Sequence, residues 1–228
     1  MDSSVMAAKE TSASPADLIR PEASLSDLWK AAQKCRGCDL WEHATQAVFG
    51  EGAPSVEVMM VGEQPGAQED IEGHPFVGPA GKLLDRALED AGIERSKVYI
   101  TNTVKHFKSI QRGKLRIHKK PNAKEIVACR PWLDAEIARV HPKVIVCLGA
   151  TAAQALISRT FRVSIQRGQL MESSLAPLIC ATVHPSSILR APDEESRHRE
   201  LRRFVDDLKK IAQHLPPSAL TQKASGDS

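Results

Sequence analysis

The chain has 228 residues, of which 42% are hydrophobic and 26% are charged, as in an ordinary globular protein with room for a sizeable core. Its net charge of +3 is too small to indicate a nucleic-acid-binding protein by itself. No apolar run approaches the roughly 18 residues of a membrane span, so no membrane partner is expected. The five cysteines are an odd number and no apolar leader is present, which favours a reducing, cytoplasmic location over a disulfide-stabilised secreted fold.

Signals for strands and helices alternate along the chain. Short apolar runs predict strands at residues 56–62, 97–102, 143–149 and 178–184, and helical spacing predicts helices at 80–92, 122–139, 195–214 and after a cap at Ser26. This alternation predicts a single α/β domain with three α/β/α layers and a mainly parallel central sheet. Polar, proline-containing ends predict flexible tails at residues 1–24 and 215–228 around a domain at 25–214.

Polar residues follow the carboxyl ends of the four predicted strands. In chain order, the loops at these ends read GEQPGAQED, NTVKH, GATAA and HPSSILR. Ligands of open parallel sheets bind in the crevice beyond such strand ends. We therefore expect the four loops to converge on a single site.

A strongly basic segment lies between residues 95 and 124, which hold ten Lys or Arg and no Asp or Glu. A run of one charge sign and this length is typical of a surface that binds a polyanion. A solvated loop is the simpler alternative. The segment also contains His118, within the stretch RGKLRIHKKP, although a histidine adds little charge to such a contact at neutral pH.

The first strand-end loop carries the most informative motif, at residues 61–81. Gly62 lets the backbone approach a ligand closely, while Glu63 and Gln64 project from the turn that follows it. Phe76 lies between a proline and a glycine, where a loop can present its ring. Taken singly, Phe76 could be a core residue, Asn102 part of a turn and His184 a core histidine. Their shared position on strand-end loops favours a common site instead.

These motifs, GEQPG with the later ED and PFVGPAG, then YITNTVK and HPSSILR, resemble the iron–sulfur uracil-DNA glycosylases known as family 4, over about residues 28–208. The resemblance implies that Phe76 stacks on a uracil turned out of the DNA, because a base within the stack cannot be reached. It further implies that Asn102 hydrogen-bonds the pairing edge of the uracil and that His184 supports a carbonyl oxygen of the departing base. Gly62 and Gln64 belong to the same uracil pocket.

The same resemblance implies a 4Fe–4S cluster. Cys35 and Cys38 form a C-x-x-C pair, which by itself fits zinc, redox or cluster chemistry. In the family, two further cysteines complete the cluster; Cys129 matches one of them, and His106 stands at the position of the other. The resemblance thus implies three cysteine ligands and one histidine ligand, with zinc as the alternative metal.

One branch of the family, UdgX, has an inserted basic loop with an R-I-H motif, and His118 and Gln64 match its two markers. Leu115 departs from the branch pattern, which has a second basic residue there. By this resemblance the protein removes uracil and then traps itself on the DNA, because the imidazole of His118 captures C1′ of the sugar before water does. Glu63 would stabilise the cationic sugar and accept the proton that His118 loses.

The implied partner is uracil-containing DNA, with single strands preferred as in the UdgX branch, and a monomer is the expected oligomeric state. Phosphate contacts are expected from the basic segment and the last strand-end loop. They are assigned to Arg116, Lys119, Lys120, Arg190 and Ser186. Two other functions stay open: a conventional glycosylase that releases free abasic DNA, and a non-catalytic iron–sulfur protein that binds single strands.

Overall fold

The computed structural model of the protein describes residues 13–113 and 115–221. Its strands are β1 Val58–Gly62, β2 Val98–Asn102, β3 Ser109–Arg112, β4 Leu115–His118, β5 Val144–Leu148, β6 Met171–Glu172 and β7 Leu178–Thr182. Five of them form one sheet in the order β2–β1–β5–β7–β6, in which all neighbours are parallel except the edge strand β6. The strands β3 and β4 pair with each other in a separate antiparallel hairpin.

Helices cover both faces of the sheet. They are α1 Pro15–Leu18, α2 Leu25–Ala32, α3 Ala67–Glu72, α4 Pro79–Asp90, α5 Ala123–Val140, α6 Ala150–Leu156, α7 Val163–Gln166, α8 Pro185–Leu189 and α9 Glu194–Ala212. One apolar cluster joins α4, α8 and α9 to the sheet, and a second joins α5, α6 and α7 to it. This arrangement confirms the predicted α/β fold with its mainly parallel sheet. None of the helices in the described ranges is long and apolar enough to cross a membrane.

Alternation along the buried strands produces the two clusters. Successive side chains of a strand point to opposite faces, so Met60 of β1 joins the cluster of α4 and α9, whereas Met59 and Val61 join that of α5 and α6. Every residue of β1, β2 and β5 is buried. Burial on both faces explains why β1 and β5 are continuous apolar runs, and it makes the sheet a firm support for the loops at its carboxyl ends.

Packed structure extends past both predicted domain boundaries. Leu18 and Ile19 pack against a third apolar cluster, which contains Cys35, Cys129 and Trp132 and joins the N-terminal helices to α5. At the other end, the residues that follow α9 also pack onto the domain, since Leu215 and Ala219 belong to the first cluster. The remaining parts of the predicted tails, residues 1–12 and 222–228, lie outside the described residues.

The start of α2 differs from the prediction, because Ser24 rather than Ser26 caps the helix. The Ser24 hydroxyl accepts a hydrogen bond from the main-chain N–H of Asp27 at 3.2 Å, and the Asp27 carboxylate accepts one from the N–H of Ser24 at 3.1 Å. This reciprocal pair satisfies two backbone donors at once, which a cap at Ser26 would not.

Within the basic segment, β3 and β4 form a hairpin, where the resemblance implied an inserted loop. Alternate residues of a strand share a face, so His118 and Arg116 lie on one side of the hairpin and Ile117 on the other. Its strands are only four residues long and mostly exposed. Residues 115–118 alternate between apolar and polar, but a run of four residues is too short to distinguish a strand from a loop.

Candidate active site

A cavity of about 590 Å³ opens at the carboxyl ends of the parallel strands. All four strand-end loops contribute to its wall, which confirms that they converge, and the hairpin adds a further side. The volume is typical of pockets that enclose a small ligand such as a planar ring. The lining includes the predicted site residues Glu63, Gln64, Phe76, Asn102, His118, Lys120, His184, Ser186 and Arg190.

Phe76 is fixed at the cavity wall by its backbone and by two glycines. Its φ of 57° lies in the left-handed region, which is uncommon for a residue with a side chain. A Cβ atom on Gly81 would lie 1.6 Å from the carbonyl oxygen of Phe76, and one on Gly62 would lie 2.8 Å from its ring. The Phe76 ring is 5.8 Å from the imidazole of His184, with 32° between the planes. Gly62 thus makes the pocket possible by leaving room for the ring.

Asn102, the last residue of β2, is buried with an unsatisfied acceptor. Among the described residues, its Oδ1 is the only buried side-chain nitrogen or oxygen that lacks a hydrogen-bond partner. Such an unpaired group costs about 1–3 kcal/mol, which the N–H of a ligand in the cavity would recover. The strand end is held by buried Lys105, whose Nζ donates to the main-chain oxygen of Asn102 at 2.8 Å and to Glu136 Oε2 at 2.6 Å.

His184 is an uncharged hydrogen-bond donor that lines the cavity. The main-chain N–H of Ser186 donates to its Nδ1 at 3.1 Å, and because that N–H can only donate, the proton of the neutral ring is on Nε2. Burial, with smaller contributions from the charge of Arg190 and from His118, lowers the pKa of His184 to about 4. The ring therefore stays neutral at physiological pH.

Glu63 follows β1 and faces two partners across the cavity. Its Oε1 lies 3.5 Å from Nε2 of His118, and its Oε2 accepts a hydrogen bond from the hydroxyl of Thr151. Thr151 lies in the first turn of α6 and is buried. Nothing in the sequence marks Thr151 beyond its position in the strand-end loop GATAA.

His118, the last residue of β4, reaches the cavity although its side chain is 53% exposed. Gln64 holds the hairpin there from both sides. Its amide nitrogen donates to the main-chain oxygen of Lys119 at 3.0 Å, and its oxygen accepts from the N–H of Lys108 at 3.2 Å. Gln64 therefore ties the two ends of the hairpin to the loop that carries Glu63.

Arg116 has an internal partner, and its phosphate contact stays a prediction. Its guanidinium lies 2.7 Å from the buried carboxylate of Asp70, which also accepts the hydroxyl proton of Thr45 at 2.7 Å. The same guanidinium lies over the ring of Phe107, 5.3 Å from its centroid. Arg116 and His118 lie on the same face of the hairpin, and this face is turned toward the domain. Arg116 thus anchors the hairpin to α3.

The other residues predicted to contact DNA lie at or beside the cavity. Lys120 and Arg190 line it and are exposed, and exposed Lys119 precedes Lys120. The hydroxyl of Ser186 lies 2.8 Å from Nδ1 of His184, so this residue supports the imidazole. Exposed cations at the mouth of a cavity favour the approach of a phosphate chain.

The predicted metal ligands lie on the side of the third apolar cluster. No three His, Cys, Asp or Glu side chains within residues 13–113 and 115–221 are grouped closely enough to hold a metal ion. The donor chemistry nevertheless fits a cluster, because sulfurs of such sites accept N–H hydrogen bonds. Cys129 Sγ accepts the N–H of Lys105 at 3.2 Å, and Cys35 Sγ accepts the indole N–H of Trp132 at 3.3 Å. Burial lowers the pKa of His106 to about 4, which keeps it in the neutral form that binds metals.

The chain is similar in sequence to several uracil-DNA glycosylases. A type-4 uracil-DNA glycosylase of Pyrobaculum aerophilum is 37% identical over 175 residues, which cover 74% of this chain and 86% of that protein. Its counterpart in Archaeoglobus fulgidus is 34% identical over 197 residues, 83% of this chain and 92% of that protein. In Sulfurisphaera tokodaii the identity is 43% over 137 residues, but the match spans only 60% of this chain and 59% of the relative. Residues 49–209, which include the whole cavity lining, match the family model of the uracil DNA glycosylase superfamily, and the chain belongs to that superfamily.

Proposed function

We propose that this protein excises uracil from DNA and then bonds, through His118, to C1′ of the abasic deoxyribose that it has produced. The observation that carries the proposal is the position of His118. Its Nε2 lies 3.5 Å from Glu63 Oε1, in the cavity that Phe76, Asn102 and His184 also line. A nucleophile, a carboxylate and a base-recognition set thus share one space.

The cavity suits the pairing edge of uracil, which has an N–H between two carbonyl oxygens. The free Oδ1 of Asn102 accepts that N–H, and the amide nitrogen of the same side chain donates to one oxygen. Cytosine presents an acceptor at the corresponding nitrogen and would leave Asn102 unsatisfied. The Phe76 ring replaces base stacking, a contribution of about 1–3 kcal/mol.

Breaking the glycosidic bond sends its electron pair to the uracil and leaves positive charge at C1′. His184 donates from Nε2 to a carbonyl oxygen of the leaving base, because the Ser186 N–H at Nδ1 fixes the tautomer with its proton on Nε2. Glu63 stabilises the cationic sugar from the other side of the bond.

Capture of the sugar requires an imidazole nitrogen with a free lone pair. In the neutral ring with its proton on Nδ1, the lone pair of His118 Nε2 forms the N–C1′ bond, and the Nδ1 proton then leaves to solvent. Glu63 Oε1, beside Nε2, can pass a proton from that nitrogen to solvent before the glycosidic bond breaks, which frees the lone pair and leaves the carboxylate charged. The product is a neutral N-alkyl imidazole, a poor leaving group, so the adduct persists and the enzyme turns over once.

A denaturing gel tests this proposal. The protein is mixed with single-stranded DNA that contains one uracil, then heated in SDS. We expect a protein–DNA band that is lost in His118→Ala, while His118→Ala still releases uracil. His198→Ala is the matched control, since His198 is exposed on α9 away from the cavity. Free abasic DNA in molar excess over wild-type enzyme, without the band, would establish a conventional turnover glycosylase; binding without base release would leave only a DNA-binding protein.

A 4Fe–4S cluster held by Cys35, Cys38, His106 and Cys129 is the second part of the proposal. The N–H···S hydrogen bonds at Cys35 and Cys129 and the family of the relatives support it. These residues would hold the cluster between the N-terminal helices and α5, where it would cross-link that side of the domain. Purified protein should absorb broadly in the visible range and contain iron, and both should fall in Cys129→Ala but not in Cys180→Ala. A colourless protein with one zinc per chain would overturn the cluster.

A further inference from the structure

Thr151 contacts the carboxylate on which the proposed chemistry depends. It is 4% exposed, lines the cavity and donates its only hydroxyl proton to Glu63 Oε2. The other oxygen, Oε1, is the one that faces His118. The two oxygens of Glu63 are therefore in different situations, one anchored and one available to the reaction.

The backbone around Thr151 is held firmly. α6 starts after Gly149, whose φ of 94° requires a glycine, and a Cβ atom there would lie 3.0 Å from Cβ of His184. The N–H of Gly149 donates to the main-chain oxygen of Thr182 at 2.8 Å, at the end of β7. Thr151 is thus positioned by the sheet itself, unlike His118 on its exposed hairpin.

We propose that Thr151 is a positioning residue for the reaction. By occupying Oε2, its hydroxyl fixes the rotation of the Glu63 carboxylate, so that Oε1 points to the space where C1′ becomes cationic. A carboxylate held in place before the reaction stabilises developing charge without reorganising. This inference rests on the proposed function, because it assigns the support of Glu63 within that reaction.

A purely structural role makes a different prediction. Thr151 also sits among buried residues of α6, so its methyl group could act simply as packing. Valine has nearly the same shape and lacks only the hydroxyl, whereas serine keeps the hydroxyl and loses the methyl group. The packing role predicts that Thr151→Ser is the damaged variant; the positioning role predicts that Thr151→Val is.

The experiment measures uracil release under single-turnover conditions at a series of DNA concentrations, for wild type and both variants. We expect Thr151→Val to lower the saturating rate roughly 10- to 100-fold, the effect of losing one hydrogen bond to a charged group. The DNA concentration for half-maximal rate should change by less than about 2-fold, since the hydroxyl contacts Glu63 and not the phosphate chain. Thr151→Ser should stay within about 3-fold of wild type. Thermal unfolding of each variant checks that the fold is intact.

Two results overturn the inference: a Thr151→Val rate equal to wild type, or equal losses in Thr151→Val and Thr151→Ser. Uracil release and adduct formation by the wild-type protein test the proposed function separately. If wild type releases uracil but forms no adduct, covalent capture fails and the ratio of the variants still decides the role of Thr151. If wild type releases no uracil, there is no reaction to position and both proposals fail.

Discussion

The floor of the cavity and the hairpin beside it are built in different ways. Asn102 ends the buried strand β2, His184 lies two residues past the largely buried β7, and the backbone of Phe76 fixes its ring. The hairpin has two strands of four residues, mostly exposed, and joins the domain chiefly through Gln64 and the Arg116–Asp70 ion pair. One region is part of the core; the other is attached to it.

This difference separates two tasks that the proposed reaction combines. Recognition of a base needs donors and acceptors held to within a few tenths of an ångström, which a buried sheet provides. Capture of the sugar needs only that a nucleophile lies next to a base pocket that is already formed. The two regions should therefore be separable by mutation, with the floor controlling base release and the hairpin controlling the fate of the sugar.

The largest effect is expected at the floor. Asn102→Ala should reduce the single-turnover rate of uracil release about 100- to 1000-fold, as for the loss of one preorganised polar group at a reacting centre. Asn122→Ala is the control, because it removes the N-cap of α5 at a cost of about 1 kcal/mol in stability without touching the cavity. Equal losses of rate in the two variants would mean that the effect comes from the fold.

A second test uses the lowered pKa of His184. Its folded value of about 4 lies below the ordinary 6.5, so its neutral form contributes stability above pH 6.5 that is lost as the pH falls toward 4. The contribution of His184 to the free energy of unfolding should be about 2 kcal/mol smaller at pH 5 than at pH 7. Urea unfolding at pH 7 and pH 5 should show a smaller drop in His184→Gln than in wild type. His198→Gln, which keeps His184, should show the same drop as wild type. An NMR titration of the His184 ring with a midpoint near 6.5 would contradict the burial argument.

The hairpin anchor should affect capture but not base release. Arg116→Met removes the partner of Asp70 and loosens the hairpin, so the rate of adduct formation should fall roughly 10-fold, about the worth of one charge-assisted contact. Uracil release should stay within about 2-fold of wild type in the same samples. Arg112→Met, on the opposite face of the hairpin, is the matched control. A parallel fall in both rates would show that the hairpin also shapes the base pocket.

The smallest effect is expected from the cations at the cavity mouth. A Lys119→Gln, Lys120→Gln double variant should reduce the slope of log affinity against log salt by about 1.4, as for two phosphate contacts on a single strand. The rate at saturating DNA should be nearly unchanged. Lys209→Gln with Lys210→Gln, on α9, controls for the change in net charge. An unchanged slope in the first variant would remove Lys119 and Lys120 from the DNA interface.

Much of this molecule follows from local patterns in its sequence. Buried strands such as Val58–Gly62 are apolar throughout, because both faces are covered, and they were predictable to within one or two residues. The convergence of the strand-end loops follows from the geometry of a parallel sheet, and it placed Glu63, Asn102 and His184 in one cavity. The capping residue Ser24 was missed, although Asp27 three residues later completes a capping box that Ser26, followed by Trp29 at that spacing, lacks.

The sequence by itself determined the layered fold, the edge at which the site forms and the residue types available there, since these depend on short-range periodicity. Tertiary structure alone decided that the basic segment is a hairpin, that Arg116 pairs with buried Asp70 and that Thr151 bonds Glu63. Each of these contacts joins residues far apart in the chain, and no local pattern records which distant partner a side chain will meet.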